Sequence, residues 1–169
     1  MRRRPSPRLR TLACCALLAC VSAAAPAALR AQEPGSREAE VVAVLQKLFD
    51  GMRARDSVMI RSVFDPAARL VRAVTRDGRT TVQVTTVDQF VSGIGRAPAG
   101  EELIERIYDP EVRIDGRLAT IWTFYTFHLG ERFSHCGIDA AQLLETDQGW
   151  KIVHLGDTMR RENCEPPGR

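Results

Sequence analysis

Leu118–Leu129 reads LATIWTFYTFHL, and it runs through Gly130-Glu131 into Arg132–Thr146, RFSHCGIDAAQLLET, then through Asp147-Gln148-Gly149 into Trp150–Arg161, WKIVHLGDTMRR. The first of these segments is dense in aromatic and β-branched residues, which suit a pleated, half-buried surface. The spacing predicts three consecutive antiparallel strands, and tight loops fix their register. Setting Thr146 opposite Trp150 around a three-residue loop places Asp139 opposite Asp157. Two carboxylates so paired lie ~5 Å apart at Cβ and repel when both are ionised, so something must offset them. The same parity places His135, Ala141, Leu143, Val153 and Leu155 on their face. Pairing around Gly130-Glu131 adds Trp122, Phe124 and Thr126. A mostly apolar face with a few acids and one imidazole describes a pocket wall better than a solvated surface. The opposite parity, with Ile121, Thr123, Tyr125 and Ile138, is also partly apolar, and one bulge would exchange the two faces.

The chain has 169 residues, and its start reads as an address rather than as fold. Arg2, Arg3, Arg4, Arg8 and Arg10 precede an apolar run, Leu12–Ala19, too short to span a bilayer. Residues 1–31 are expected to be an export signal, which directs the protein to the periplasm or outside the cell. Cleavage near Ala31, after a small-residue stretch, would release a soluble protein. Alternatively, Leu17-Leu18-Ala19-Cys20 resembles a bacterial lipobox that would acylate Cys20. Six of the 24 basic residues and none of the 21 acidic ones lie in that leader, so the remainder carries 18 against 21, a net charge of −3. A mildly acidic body with dispersed arginines lacks the basic stripe that nucleic-acid binding needs. Contact with a membrane is expected only through the leader or a lipid anchor.

Cys136 and Cys164 are the two cysteines beyond the leader, and an exported protein meets an oxidising compartment. Two readings stay open: a Cys136–Cys164 disulfide, or a buried Cys136 beside a free Cys164 in a frayed tail. Two thiols this far apart, with no His at ligand spacing, do not form a usual zinc pattern, and no metal or cofactor is expected.

Residues 32–37 read as a polar linker, 38–161 as one domain and 162–169 as a flexible tail. Val41, Val44, Leu45, Leu48, Phe49 and Met52 recur at three- and four-residue intervals, which makes Glu38–Ala54 an amphipathic helix. Asp56 is placed to cap a second helix over Ser57–Phe64. Asp77-Gly78 tolerates the positive φ angles of a type I′ turn, so Arg69–Arg76 and Arg79–Thr85 read as a hairpin. Thr86 and Gln89 form a capping box ahead of a third helix, Val87–Ile94. The glycine-rich stretch after it is expected to be the most mobile connection. The chain returns to strand from Glu102, with an irregularity at Pro110, which lacks a ladder donor.

The resulting order is helix, helix, hairpin, helix and four antiparallel strands. It resembles the nuclear transport factor 2-like superfamily, with its SnoaL-like and ketosteroid-isomerase-like members. The likeness covers roughly Glu38–Arg161 and is carried by VLQKLFDGMRARD (44–56), FDPAA (64–68), FSHCGIDAAQL (133–143) and GWKIVHLGDTMRR (149–161). Within the superfamily, the likeness is to small bacterial proteins grouped as putative lumazine-binding. It implies an α+β cone, a curved antiparallel sheet wrapped around about three N-terminal helices. It also implies an apolar interior and a homodimer formed through the outer sheet face. The enzymes of this shape use a carboxylate base with hydrogen-bond donors, but no tyrosine falls in the first helix where a steroid-isomerase-like donor would stand.

Three functions follow. The first is an exported domain that binds a small, partly apolar molecule against Trp122, Phe124 and Thr126, without turnover. The second is an isomerase or dehydratase-like enzyme with Asp139 or Asp157 as base and His135 as donor. The third is a structural or interaction module whose cone is filled. For the two aspartates, a pocket dyad with one raised pKa competes with simple pairing to Arg106, Arg160 or Arg161. Tyr125, of opposite parity, is expected on the outer face.

Overall fold

The computed structural model describes residues 36–98 and 100–168. The leader read at residues 1–31, with the lipobox at Cys20, lies outside the described residues. Three helices pack on one face of a curved, unclosed six-stranded sheet to make an α+β cone. In chain order the elements are α1 (Arg37–Ala54), α2 (Ser57–Val63), β1 (Phe64–Arg76), β2 (Arg79–Thr86) and α3 (Val87–Arg96). Strands β3 (Leu103–Asp115), β4 (Leu118–Leu129), β5 (Arg132–Thr146) and β6 (Gly149–Asp157) follow.

Helix α1 starts where the Ser36 side chain accepts from the Ala39 N–H, an N-cap that satisfies an orphan donor. Its stripe of Val41, Leu45, Leu48, Phe49 and Met52 is buried, and truncating one such leucine to alanine costs about 2–5 kcal/mol. The helix ends at Arg55, in left-handed conformation at φ 54°. Gly51 lets the chain fold back directly onto itself, because a Cβ there would lie 2.9 Å from Ile60 Cγ1 of α2. The Asp56 carboxylate accepts from the Val58 and Met59 N–H groups and starts α2. Phe64, expected to close that helix, instead opens β1 with φ −98° and ψ 149°.

The sheet order is β2-β1-β6-β5-β4-β3, antiparallel throughout except between β1 and β6. The Asp77-Gly78 turn has positive φ at both residues, as a type I′ turn requires. The irregularity at Pro110 is a register shift between Tyr108 and Glu111, with Asp109 at φ 47°. The loop after α3 is fastened from below, since the Arg55 guanidinium donates to the carbonyls of Ala97, Pro98 and Glu101 at 2.8, 2.6 and 2.9 Å.

Two bulges decide which side chains face the helices. The β4–β5 pairing starts as the short turn dictates, with Leu129 opposite Arg132 and His128 opposite Phe133. It then jumps to Phe127 opposite His135, leaving Ser134 without a counterpart. From that point the parity of β4 is reversed. Ile121, Thr123, Tyr125 and Phe127 turn toward the helices, and Trp122 stands 55 % exposed on the other side. The second bulge, at Val153, corrects a shorter turn. Thr146 faces Gly149 rather than Trp150, and the shift between Gln142 and Leu143 restores the register that sets Asp139 opposite Asp157.

Beyond β6 the chain stays attached to β5. Thr158 N–H donates to the Ile138 carbonyl, Cys136 and Arg160 bond in both directions, and a Cys136–Cys164 disulfide with Cα atoms 5.6 Å apart closes the end.

Candidate functional site

Between the sheet and helices α1 and α3 lies a cavity of about 260 Å³. The helix side is apolar, formed by Leu48, Phe49 and Met52 of α1 and Phe90 of α3, and Leu70 and Leu155 carry apolar lining onto the sheet. The opposite wall is polar, and sheet register assembles it. Arg72 on β1 is paired with Asp157 on β6, Asp157 with Asp139 on β5, and Asp139 with Thr123 on β4. A second row brings Glu105 of β3 beside Phe127 of β4, and Phe127 beside His135 of β5.

The facing aspartates are offset in two different ways. Asp157 is held by Arg72, whose Nε donates at 2.9 Å while its second nitrogen donates to the other carboxylate oxygen. Such a two-pronged pair is geometrically specific. Burial works against the Arg72 charge, but the bond and charge of Asp157 outweigh it, so its pKa stands above the ordinary value. Arg106, Arg160 and Arg161, the partners expected from sequence, do not make this bond.

Asp139 has no cation. It is 3 % exposed, and no amide, hydroxyl or cation donates to its buried Oδ2. Its neighbour is the Glu105 carboxyl, and a hydrogen bond between two carboxyls requires that one keep its proton. Glu105 keeps it. Burial foremost, and then the charge of Asp139, raise the Glu105 pKa well above the carboxylate range. Glu105 is partly covered and lines the cavity. Burial also pushes Asp139 up to about 7, although the bond from Glu105 pulls the other way. The pair is thus a donor beside an acceptor that changes charge near neutrality.

Tyr125 lies inside, 2 % exposed, and not on the outer face expected for it. Its hydroxyl donates to the Thr158 carbonyl at 2.8 Å, so it is committed to structure, and burial raises its pKa. That carbonyl reaches in only because residue 137 is glycine, since a Cβ there would come within 1.9 Å of the oxygen. His135 stacks on Phe127 with ring centroids 4.9 Å apart, and its Nδ1 lies 3.0 Å from Ser134 Oγ. Burial, then the Arg72 charge, lowers its pKa and keeps the ring neutral.

Asp139, Asp157 and His135 therefore all line one cavity. Trp122, Phe124 and Thr126 do not, because the bulge at Ser134 turns them to the opposite face. Trp122 there flanks a shallow groove with Glu111, Gln142 and His154. Glu105 and Arg72 escaped the sequence reading, although each sits on the inward parity of an apolar strand, Leu103-Glu105-Ile107 and Leu70-Arg72-Val74.

A family model described as Putative lumazine-binding matches residues 36–155. The chain belongs to that family. The match takes in α1 through Leu155, and with it every cavity-lining residue except Asp157. Solved structures share the fold at low identity. An NTF-2 like protein of unknown function from Silicibacter pomeroyi is 18 % identical, covering 72 % of this chain and 94 % of its own, with a TM-score of 0.56. An NTF2-like protein from Cytophaga hutchinsonii is 11 % identical, over 74 % and 99 %, with a TM-score of 0.60. A protein of unknown function with a cystatin-like fold from Nostoc punctiforme is 9 % identical, over 76 % and 92 %, at 0.58. At these identities the likeness is one of fold alone, and the nuclear transport factor 2-like architecture is shared. No curated protein matches the chain.

Proposed function

We propose that this member of the putative lumazine-binding family is an exported protein that holds a small, partly apolar molecule in its cavity without chemical turnover. The observation that carries the reading is Asp139, a buried carboxyl without a cationic partner that lines a cavity whose helix side is apolar. Buried polar atoms are nearly always satisfied, and a concave apolar site with a few convergent polar groups is the usual form of a ligand pocket. The family description points the same way, toward a small ligand. Export rests on the basic head and short apolar run of residues 1–31, whose processing either frees the protein or acylates Cys20. The exposed Trp122 on the outer sheet face is where a second copy would pack.

A fragment screen of small aromatic molecules, followed by protein NMR, tests the reading. Shifts concentrated at Phe49, Phe90 and Leu155 are expected. Shifts scattered over the surface, or none, would refute it in favour of a structural module.

A second reading is supported by the Glu105–Asp139 pair itself. A protonated carboxyl bonded to one that ionises near neutrality is a donor and a base side by side, suited to shifting a proton within a bound molecule. Asp139 is the base in this reading, because Asp157 is occupied by Arg72. Asp139→Asn would abolish turnover with affinity largely kept if the site is catalytic. In the binding reading no turnover exists to lose.

A further inference from the structure

We propose that the cavity is built for an organic monocation, an apolar amine whose ammonium pairs with the Asp139 carboxylate while its body lies against Phe49, Met52 and Phe90. This deepens the binding reading and rests on it. The groups that face Asp139 can be counted strand by strand. From β1 comes Arg72, from β6 Asp157, from β3 Glu105, from β4 Tyr125, and from its own strand His135. Helices α1 and α3 contribute only apolar side chains to the cavity. The single cation among these groups, Arg72, is taken up two-pronged by Asp157. The Tyr125 hydroxyl points its proton at Thr158, and the imidazole is neutral.

Once Asp139 ionises, the cavity therefore holds one negative charge more than positive, on a side chain with no cationic partner. Buried charges are paired or they neutralise. In the empty protein the proton supplies the neutralisation, and a bound ammonium would supply it instead. A metal ion fits poorly, because among the described residues no group of three or more His, Cys, Asp or Glu side chains is arranged to hold one. An anionic ligand would face Asp139 and Asp157 across the cavity. The cavity volume suits an amine of the size of 2-phenylethylamine.

The experiment compares 2-phenylethylamine with its near-isosteres 2-phenylethanol and 3-phenylpropionate, by calorimetry and by NMR at the cavity residues, at about pH 8 and about pH 5.5. The amine is protonated at both values. At the higher pH it should bind about tenfold or more tighter than the alcohol, and the propionate should not bind. At the lower pH, where the proton has returned to Asp139, the advantage of the amine should shrink and its binding should release protons to the buffer. Asp139→Asn should remove the advantage of the amine over the alcohol, and the wild-type pH comparison stands even if that variant misfolds. If the alcohol binds as tightly as the amine at both pH values, the cation inference is overturned and the cavity reading survives. If no probe perturbs the cavity residues, both fall.

Discussion

Asp139 and Asp157 stand opposite one another in register, yet only Asp157 has a cationic partner. Equal residues in adjacent positions thereby acquire different chemistry. Asp157 is locked into a salt bridge with Arg72, and Asp139 is left to share a proton with Glu105.

The stability of the protein should fall as pH rises from about 4 to about 7. Asp139 ordinarily titrates at 3.8 and in the folded protein at about 7. Between these values the folded state binds the extra proton, so unfolding becomes easier as pH increases. The raised Glu105 pKa extends the decline to higher pH. Thermal unfolding of the wild type across that range should show the slope, and Asp139→Asn should reduce it to the share that burial of Glu105 supplies.

Arg72→Met should destabilise the fold by about 1–3 kcal/mol, measured by urea denaturation. A fully buried pair that loses one member costs about 3–5 kcal/mol, but the Arg72 side chain here is 38 % exposed and that of Asp157 18 %, so solvent screens part of the loss. Arg72→Lys should recover only part, since an ammonium cannot reproduce the fork.

Gly137→Ala should be worse than Tyr125→Phe. The second removes one hydrogen bond, worth about 1 kcal/mol. The first drives a methyl group to within 1.9 Å of the Thr158 oxygen, which must expel the post-β6 segment from its place. Equal losses in denaturation midpoint would refute the close approach.

The two tryptophans should differ in fluorescence quenching. Trp122 is 55 % exposed and Trp150 is 6 % exposed, so acrylamide should quench one component strongly, and Trp122→Phe should abolish that component. Were Trp122 to line the cavity, a cavity ligand would protect the accessible component from the quencher.

Reducing the Cys136–Cys164 disulfide, which closes a sequence separation of 28, should cost about 3–4 kcal/mol by loop entropy. Thiol counting before and after reduction, paired with denaturation, checks this.

Much of the fold was legible because its signals are local. The Thr86-Gln89 capping box, the Asp77-Gly78 turn and the aromatic density of β4 each act over a few residues. The inward set of β4 was not legible, because it depends on Ser134 lying outside the ladder, and nothing in the composition of FSHCG marks that residue as unpaired. The Asp139–Asp157 pairing came out right through two opposite displacements, a turn one residue shorter than expected and a bulge at Val153. Arg72 stayed hidden for a different reason. No turn links β1 to β6, so their parallel pairing follows from how the whole sheet curls around α1, not from nearby residues.

The bulge at Ser134 makes the lining of this molecule unusually sensitive to length. Along most of the chain, a substitution changes one tile of the inner surface. Removal of this single serine would slide β4 by one position and turn its wall inside out, bringing indole and phenyl rings where a hydroxyl and a phenol now stand. A single-residue change of length at that spot would thus exchange the set of side chains that this chain offers a guest.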